Sequence, residues 1–379
     1  MKRTFHPVGQ GAFYSETHDC NREKFTIVYD CGSLTDKGIH MKSIIESAFK
    51  KNESEKKPII DILFISHFHA DHINGIKYLK THCEIKKVVI PLIDDFTKIV
   101  LKINNHLVGD PADDILIDDP RSFFGKAVEI IAIRENGNEN QTSNDSEIAI
   151  YPSGRKFTTN KSDNWYFIPF NYKHDTSVDL FRESLKELGI DINHINIDDI
   201  DDNQAIITEY KKINNDLNKN SMILYSGKDC DDFLEFNPQK TPSNTIVDKI
   251  RKIKYYRYFM KTQSGCLYTG DIDLKQRNIV TDIKTNLQQF FPFIGTIQIP
   301  HHGSKASYRN SILAKTMRHA VISHGTINSY KHPSTYVTAD IKRHCISVHK
   351  VTEEHASIFK QNNCSILTLR KPKLKKIMK

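Results

Sequence analysis

Long apolar runs are missing from this 379-residue chain. No stretch approaches the roughly 20 residues that a membrane span requires. The amino terminus, Met1 to His6, begins basic with no apolar stretch behind it, unlike a secretory signal, so a cytoplasmic location is expected. Cysteine is sparse: seven residues (20, 31, 83, 230, 266, 345 and 364), odd in number and without a Cys-x-x-Cys pair. They read as reduced, mostly structural thiols. A Gly-rich phosphate loop is absent, and Val8-Gly9-Gln10-Gly11 is too short and misplaced for a dinucleotide fingerprint, so it reads as a hairpin turn.

What is present fits a folded domain. Hydrophobic residues make up 38% and charged residues 26%, and the length exceeds a typical single domain, so a large insertion or second module is expected. A formal charge of +8 favours an anionic substrate or partner. Six of the last ten residues, 370–379, are basic and read as a tail. Residues 249–261 mix Lys and Arg with Tyr and Phe, which suits a strand with a wet face or a surface for phosphates and bases.

The densest chemistry is His67-Phe68-His69-Ala70-Asp71-His72. It follows residues 58–66, whose Ile59, Ile60, Ile62, Leu63, Phe64 and Ile65 read as one buried strand. Three imidazoles and a carboxylate on a tight turn are poor core material and good ligands for two adjacent cations. Residues 1–34 read as a hairpin leading to Asp30, and residues 39–50 as a short amphipathic helix. A second helix starts after His72, residues 86–92 form the next buried strand, and residues 178–189 fit a helix. Residues 255–261 and 264–269 make a hairpin ending at Gly270-Asp271, where a carboxylate is well placed to bridge two ions. Residues 294–299 run as a strand into His301-His302-Gly303-Ser304. Adjacent histidines on an extended chain point to opposite faces, so one of the pair closes a metal site, with His302 preferred.

His-x-His-x-Asp-His after a hydrophobic strand resembles the signature of the metallo-β-lactamase superfamily. The opening 8–12 and 27–32 segments, Thr269-Gly270-Asp271, Pro300-His301-His302-Gly303-Ser304 and Ser323-His324-Gly325, with Asn328, Tyr330, His332 and Pro333, resemble its competence-type (ComEC-like) nuclease branch, in a free-standing form. The resemblance implies an α/β fold, an αββα sandwich of two mixed sheets flanked by helices. It would span residues 1–369, with an atypical insertion or cap over about 94–220 that includes part of the core sheet.

It also implies two divalent ions, Zn²⁺ or Mn²⁺. His67 and His69 would hold one; Asp71, His72 and His302 (or His301) the other, with Asp271 bridging. Asp30 would orient His67 or His69. His301 and Ser304 would assist at the reacting phosphate, and His324 and His332 would meet substrate or support the ligands. The superfamily's third histidine has His174 as its nearest counterpart, which reads equally as a surface residue.

Three functions stay open: a DNA-cleaving phosphodiesterase, working alone or with a protein partner in bacterial defence; a hydrolase of small esters, lactones or phosphoesters; and a non-catalytic binding or regulatory subunit.

Overall fold

The computed structural model describes residues 1–20, 23–51, 56–108, 114–142, 147–159, 165–172, 177–191, 195, 200, 203–213, 221–228 and 263–362. His174, His194, residues 249–261 and the tail 370–379 lie outside them.

Strands β1 (Lys2–Phe5), β2 (Gly11–Cys20), β3 (Glu23–Ser33), β4 (Ile59–Ile60), β5 (Ile62–Phe64), β6 (Glu84–Ile85), β7 (Lys87–Pro91), β8 (Glu129–Ile133) and β9 (Ala149–Tyr151) occupy the first half. Strands β10 (Phe157–Thr158), β11 (Trp165–Tyr172), β12 (Ser221–Lys228), β13 (Gly265–Tyr268), β14 (Ile294–Gln298), β15 (His319–Ser323), β16 (Ser347–Val351) and β17 (Phe359–Asn362) follow. Among the described residues one sheet runs β17-β1-β2-β3-β5-β7-β8-β9 and the other β10-β11-β12-β13-β14-β15-β16. Each sheet is antiparallel at one end and parallel at the other, the change falling at β3 and at β13.

The β-branched and aromatic residues of these strands alternate between two apolar layers. The inner layer, between the sheets, holds Phe5, Tyr14, Tyr29, Phe64, Val89, Phe167, Leu224, Tyr268 and Val321. On the outer face of the first sheet, Val28, Leu63, Val88 and Ile130 pack against residues of helices Met41–Ala48, Ile76–His82, Asp114–Asp118 and Pro120–Phe124. Helices Ile279–Asn286 and Thr335–Arg343 cover the second sheet through Ile283, Val337 and Ile341. The layering is helix, sheet, sheet, helix, as the sequence led us to expect.

A buried ion pair between neighbouring strands β1 and β2 points into the inner layer. Arg3 Nε donates to Glu16 Oε1 at 2.7 Å, with both side chains fully enclosed. Tyr268 and Ser226 hydroxyls from the opposite sheet also donate to Glu16, at 2.8 and 2.7 Å. Arg3 Nη1 reaches the Ser264 carbonyl and Gln361 Oε1. Burial would push the Glu16 carboxyl up, but Arg3 and His18 hold it well below the usual range.

Two local expectations are revised. The apolar run 58–66 is two strands, because Asp61 accepts a bond from the Thr26 amide and interrupts it; β4 then pairs with β6 in a separate ribbon. Ile39 is exposed rather than part of the following helix's buried face.

The segment after residue 94 contributes to both sheets through β8 to β11. Its remaining helices, Asp95–Val108, Ser177–Glu187 and Gln204–Ile213, share a small apolar cluster of their own around Phe96, Ile103, Phe181, Leu185 and Ile206.

Candidate metal centre

The candidate residues gather at the carboxyl ends of the strands where pairing is parallel, the usual place for a site in sheets of this kind. The chain leaves β5 through Ile65 and Ser66 into His67 and His69, and a single helical turn, Ala70–Ile73, carries Asp71 and His72. Asp271 follows β13, His301 and His302 follow β14, and His324 follows β15. Gly270 has φ +54°, and a Cβ there would lie 2.9 Å from Ser221 Oγ and 3.0 Å from Ser66 Cβ. Only glycine lets the Asp271 turn close against the His67 strand end. Behind the helical turn, a Cβ on Gly32 would meet the His72 amide nitrogen at 2.6 Å.

One ligand atom from each of Asp71, His72, Asp271 and His302 lies within 4.8 Å of the other three, and all four residues are buried. The His67 ring stands 4.0 Å from that of His72 and 4.7 Å from that of His69, centroid to centroid. The six candidate ligands therefore form one continuous patch.

Hydrogen bonds fix which nitrogen each ring turns inward. The Asp30 carboxylate accepts from the Ser66 amide and hydroxyl, both at 2.7 Å, and from His72 Nδ1 at 2.8 Å. With its one proton given to Asp30, Ser66 Oγ accepts from His67 Nδ1 at 2.9 Å. His302 Nδ1 donates to the Ser323 carbonyl at 2.9 Å. Nε2 of His67, His72 and His302 is thus the one left for a cation. Asp30 was expected to orient His67 or His69. It binds His72 directly instead, and reaches His67 only through Ser66, because the helical turn folds His72 back beneath β3.

The electrostatics match a cation site. Burial and then the neighbouring His72 and His69 hold His67 well below its ordinary value; burial brings His69 to about 4 despite Asp71. Both rings are neutral, with lone pairs available. Burial opposes charge on His72, but Asp271, Asp71 and Asp30 outweigh it and raise the ring well above its usual value. Burial would raise Asp271, yet His72, His301 and His302 keep it far below the carboxylate range. Three carboxylates thus converge where positive charge is needed. Among the described residues His67 Nε2 and both His69 nitrogens are buried without a hydrogen-bond partner, and the buried His72 Nε2 and Asp271 Oδ1 face each other at 3.3 Å. Buried polar atoms are seldom left so, and this donor set suits divalent cations.

The other expected residues lie at the edge. His301 and His302 both have left-handed backbones, φ 49° and 53°, not the extended chain anticipated. Their rings still diverge, 6.3 Å apart at 80°. His302 meets Asp71 Oδ2 at 3.0 Å, while His301 Nδ1 faces Ser307 Oγ at 3.1 Å. Ser304 is buried and accepts from the Ala306 amide. His332 stands 5.9 Å from His301. His324 Nδ1 donates to the Gly325 carbonyl, leaving Nε2 buried and unpartnered among the described residues. Asn328 ties the Gly325 and His332 carbonyls together.

Three residues of this site escaped the sequence reading. Ser66 relays between Asp30 and His67. Ser221 accepts from the Asp271 amide at 3.0 Å. Gln298 Oε1 accepts from the Thr269 and Gly270 amides, at 2.7 and 2.8 Å. A glutamine closing the apolar strand β14 was the one visible signal.

Residues 21–125 match the model of the Metallo-beta-lactamase superfamily. The chain has a mixed α/β fold of two sheets flanked by helices, and its 21–125 stretch is similar to that superfamily. No curated protein matches it. Among solved structures it is similar to the metallo-beta-lactamase fold protein YhfI from Bacillus subtilis, with 10% identity, TM-score 0.36, and 95% of this chain and 99% of that one covered. It is also similar to Zn(2+)-bound PqqB from Methylobacterium extorquens, with 6% identity, TM-score 0.38, and 96% and 100% covered. The superfamily match over residues 21–125 and the four-residue cluster together point to divalent metal binding and suggest a metal-dependent hydrolase. Among the described residues no helix is long and apolar enough to cross a membrane.

A pocket adjoins the His67 and His69 side. Phe68, Leu92, Ile93, Val100, Leu101 and Val178 line it, so helices of the 94–220 segment form part of its wall. Two of its polar members are already engaged: Asn171 Nδ2 donates to the Leu92 and Ile133 carbonyls, and Asp94 accepts from Thr97 and Arg182.

Proposed function

We propose that the protein is a metal-dependent phosphodiesterase that cleaves DNA. The observation that carries the reading is the buried Asp71, His72, Asp271 and His302 cluster beside His67 and His69, whose unpartnered nitrogens face one place. His67 and His69 would hold one divalent cation, Asp71, His72 and His302 a second, with Asp271 shared. Bound cations of this kind lower the pKa of water and polarise a phosphoryl oxygen. The chain's own residues do the rest. Asp30 and Ser66 keep the His72 and His67 rings in the ligating tautomer. With Ser307 donating to its Nδ1, His301 would keep a proton at Nε2 for the leaving oxygen, and His324 and His332 would meet the substrate. A net charge of +8 and the competence-type motifs support a polyanionic substrate.

A second reading, hydrolysis of small esters or lactones, is favoured by the apolar pocket beside His67 and His69. One experiment separates the two. Purified protein is incubated with single- and double-stranded DNA and Mn²⁺, Zn²⁺ or Mg²⁺, beside an Asp71→Ala/His72→Ala variant, with metal content measured. Metal-dependent cutting that the variant loses is expected. Bound metal without cutting would move the search to small esters. Neither metal nor cutting would sink the catalytic reading and leave a binding module.

A further inference from the structure

The outer face of the first sheet is apolar where helices cover it, but not at its β17-β1-β2 edge. Strand alternation turns Arg3, Phe5, Tyr14 and Glu16 inward and sets Lys2, Thr4, His6, Ser15, Thr17 and Lys360 on the other side. These six floor a groove of about 510 Å³, the size of a small-molecule site, with Ile44 and Phe49 of the Met41–Ala48 helix region and Ile358 forming apolar walls. Its lining shares no residue with the metal cluster.

The charge in the groove is unbalanced. Among the described residues no carboxylate pairs with Lys2 or Lys360. Glu353, the carboxylate in the lining, is held by the Thr326 amide and hydroxyl. Lys360 lies opposite Thr4 and Lys2 opposite Thr17, so the two lysines are diagonal neighbours on adjacent strands, about 7–8 Å apart at Cα. Flexible side chains at that spacing can converge on one anion. Thr4, Ser15 and His6 are buried beneath them, with His6 Nε2 and Ser15 Oγ 2.8 Å apart. His40 borders the groove with its Nδ1 buried and unpartnered among the described residues.

We propose that this groove is a second binding site, taking a phosphomonoester with a small flat or apolar body. Two ammonium groups and an array of hydroxyls suit a dianion with several acceptor oxygens. The Ile44, Phe49 and Ile358 side suits the body attached to it. A carboxylate or chloride would engage one lysine only.

The test is isothermal titration of the full chain with AMP, adenosine and inorganic phosphate, in the wild type and in the Asp71→Ala/His72→Ala variant. AMP is expected to bind both proteins, more tightly than phosphate, with adenosine much weaker. Lys2→Gln/Lys360→Gln should weaken AMP at least tenfold, and Thr17→Val by less, with circular dichroism unchanged because both lysines are exposed. No binding of AMP at millimolar concentration overturns the proposal. So does AMP binding that the lysine variant retains, that Asp71→Ala/His72→Ala abolishes, or that adenosine equals.

Discussion

Replacing Asp30 by Asn separates its charge from its shape. The residue sits at φ 56°, a backbone that Asn tolerates, so the fold is kept while the acceptor for His72 Nδ1 and Ser66 is weakened. We expect Zn²⁺ affinity to fall by about 10–100-fold, the usual cost of losing a carboxylate behind a ligating histidine. Competition with a zinc indicator checks it, and wild-type affinity would remove Asp30 from the orienting role. His67 to His72 stood out in the sequence because so many imidazoles in six residues have no use in a core. Asp271 and His302 stood out because each ends an apolar strand beside a glycine. The partner of Asp30 did not, since ring orientation depends on a helical turn that sequence spacing cannot resolve. Ser66 and Ser221 are ordinary serines until one sees which backbone and ring atoms they meet.

Secondary elements differed in how plainly they announced themselves. β7 and β14 are compact apolar runs and read directly. β10 is only two residues long, so its membership of the second sheet was hidden. The 58–66 run read as one strand because apolar content outweighed its single polar residue, Asp61, which in fact divides it.

The helical part of the 94–220 segment has its own apolar centre, and its stability can be probed separately. Phe181 is fully buried there between Phe96 and Tyr210. Phe181→Ala should cost about 3–5 kcal/mol within that cluster. Hydrogen exchange should quicken in helices Asp95–Val108, Ser177–Glu187 and Gln204–Ile213 while β5 and β13 stay protected. Uniform loss across both sheets would mean that these helices are no separate unit.

At the scale of the whole molecule, acid should destabilise the fold partly through His6. Burial, reinforced by Lys2 and Lys360, lowers this ring to about 3. An unfolded histidine takes up its proton near 6.5, so the unfolded state binds more protons between the two values. The stability from keeping His6 neutral is complete above about pH 6.5 and lost as pH falls towards 3. From pH 7 to 4.5 this one ring should cost about 2–3 kcal/mol. Urea unfolding of wild type and His6→Gln at the two pH values measures the difference, and parallel pH slopes would contradict it. The layered architecture was legible because the motifs came in order at strand ends. The Arg3–Glu16 pair was not, since two ordinary surface residue types gave no hint of meeting between the sheets.

The metal centre also has a timetable. Its candidate ligands come from residues 67 to 72, 271 and 302, and the segment 21–125 carries four of the six, lacking Asp271 and His302. As the chain leaves the ribosome, His67, His69, Asp71 and His72 emerge long before their counterparts exist. A half-made polypeptide has imidazoles but no enclosed cluster, so it can hold a cation only loosely. On this reading, loading would wait for the second sheet, and a message broken before codon 271 would give a product without the assembled cluster.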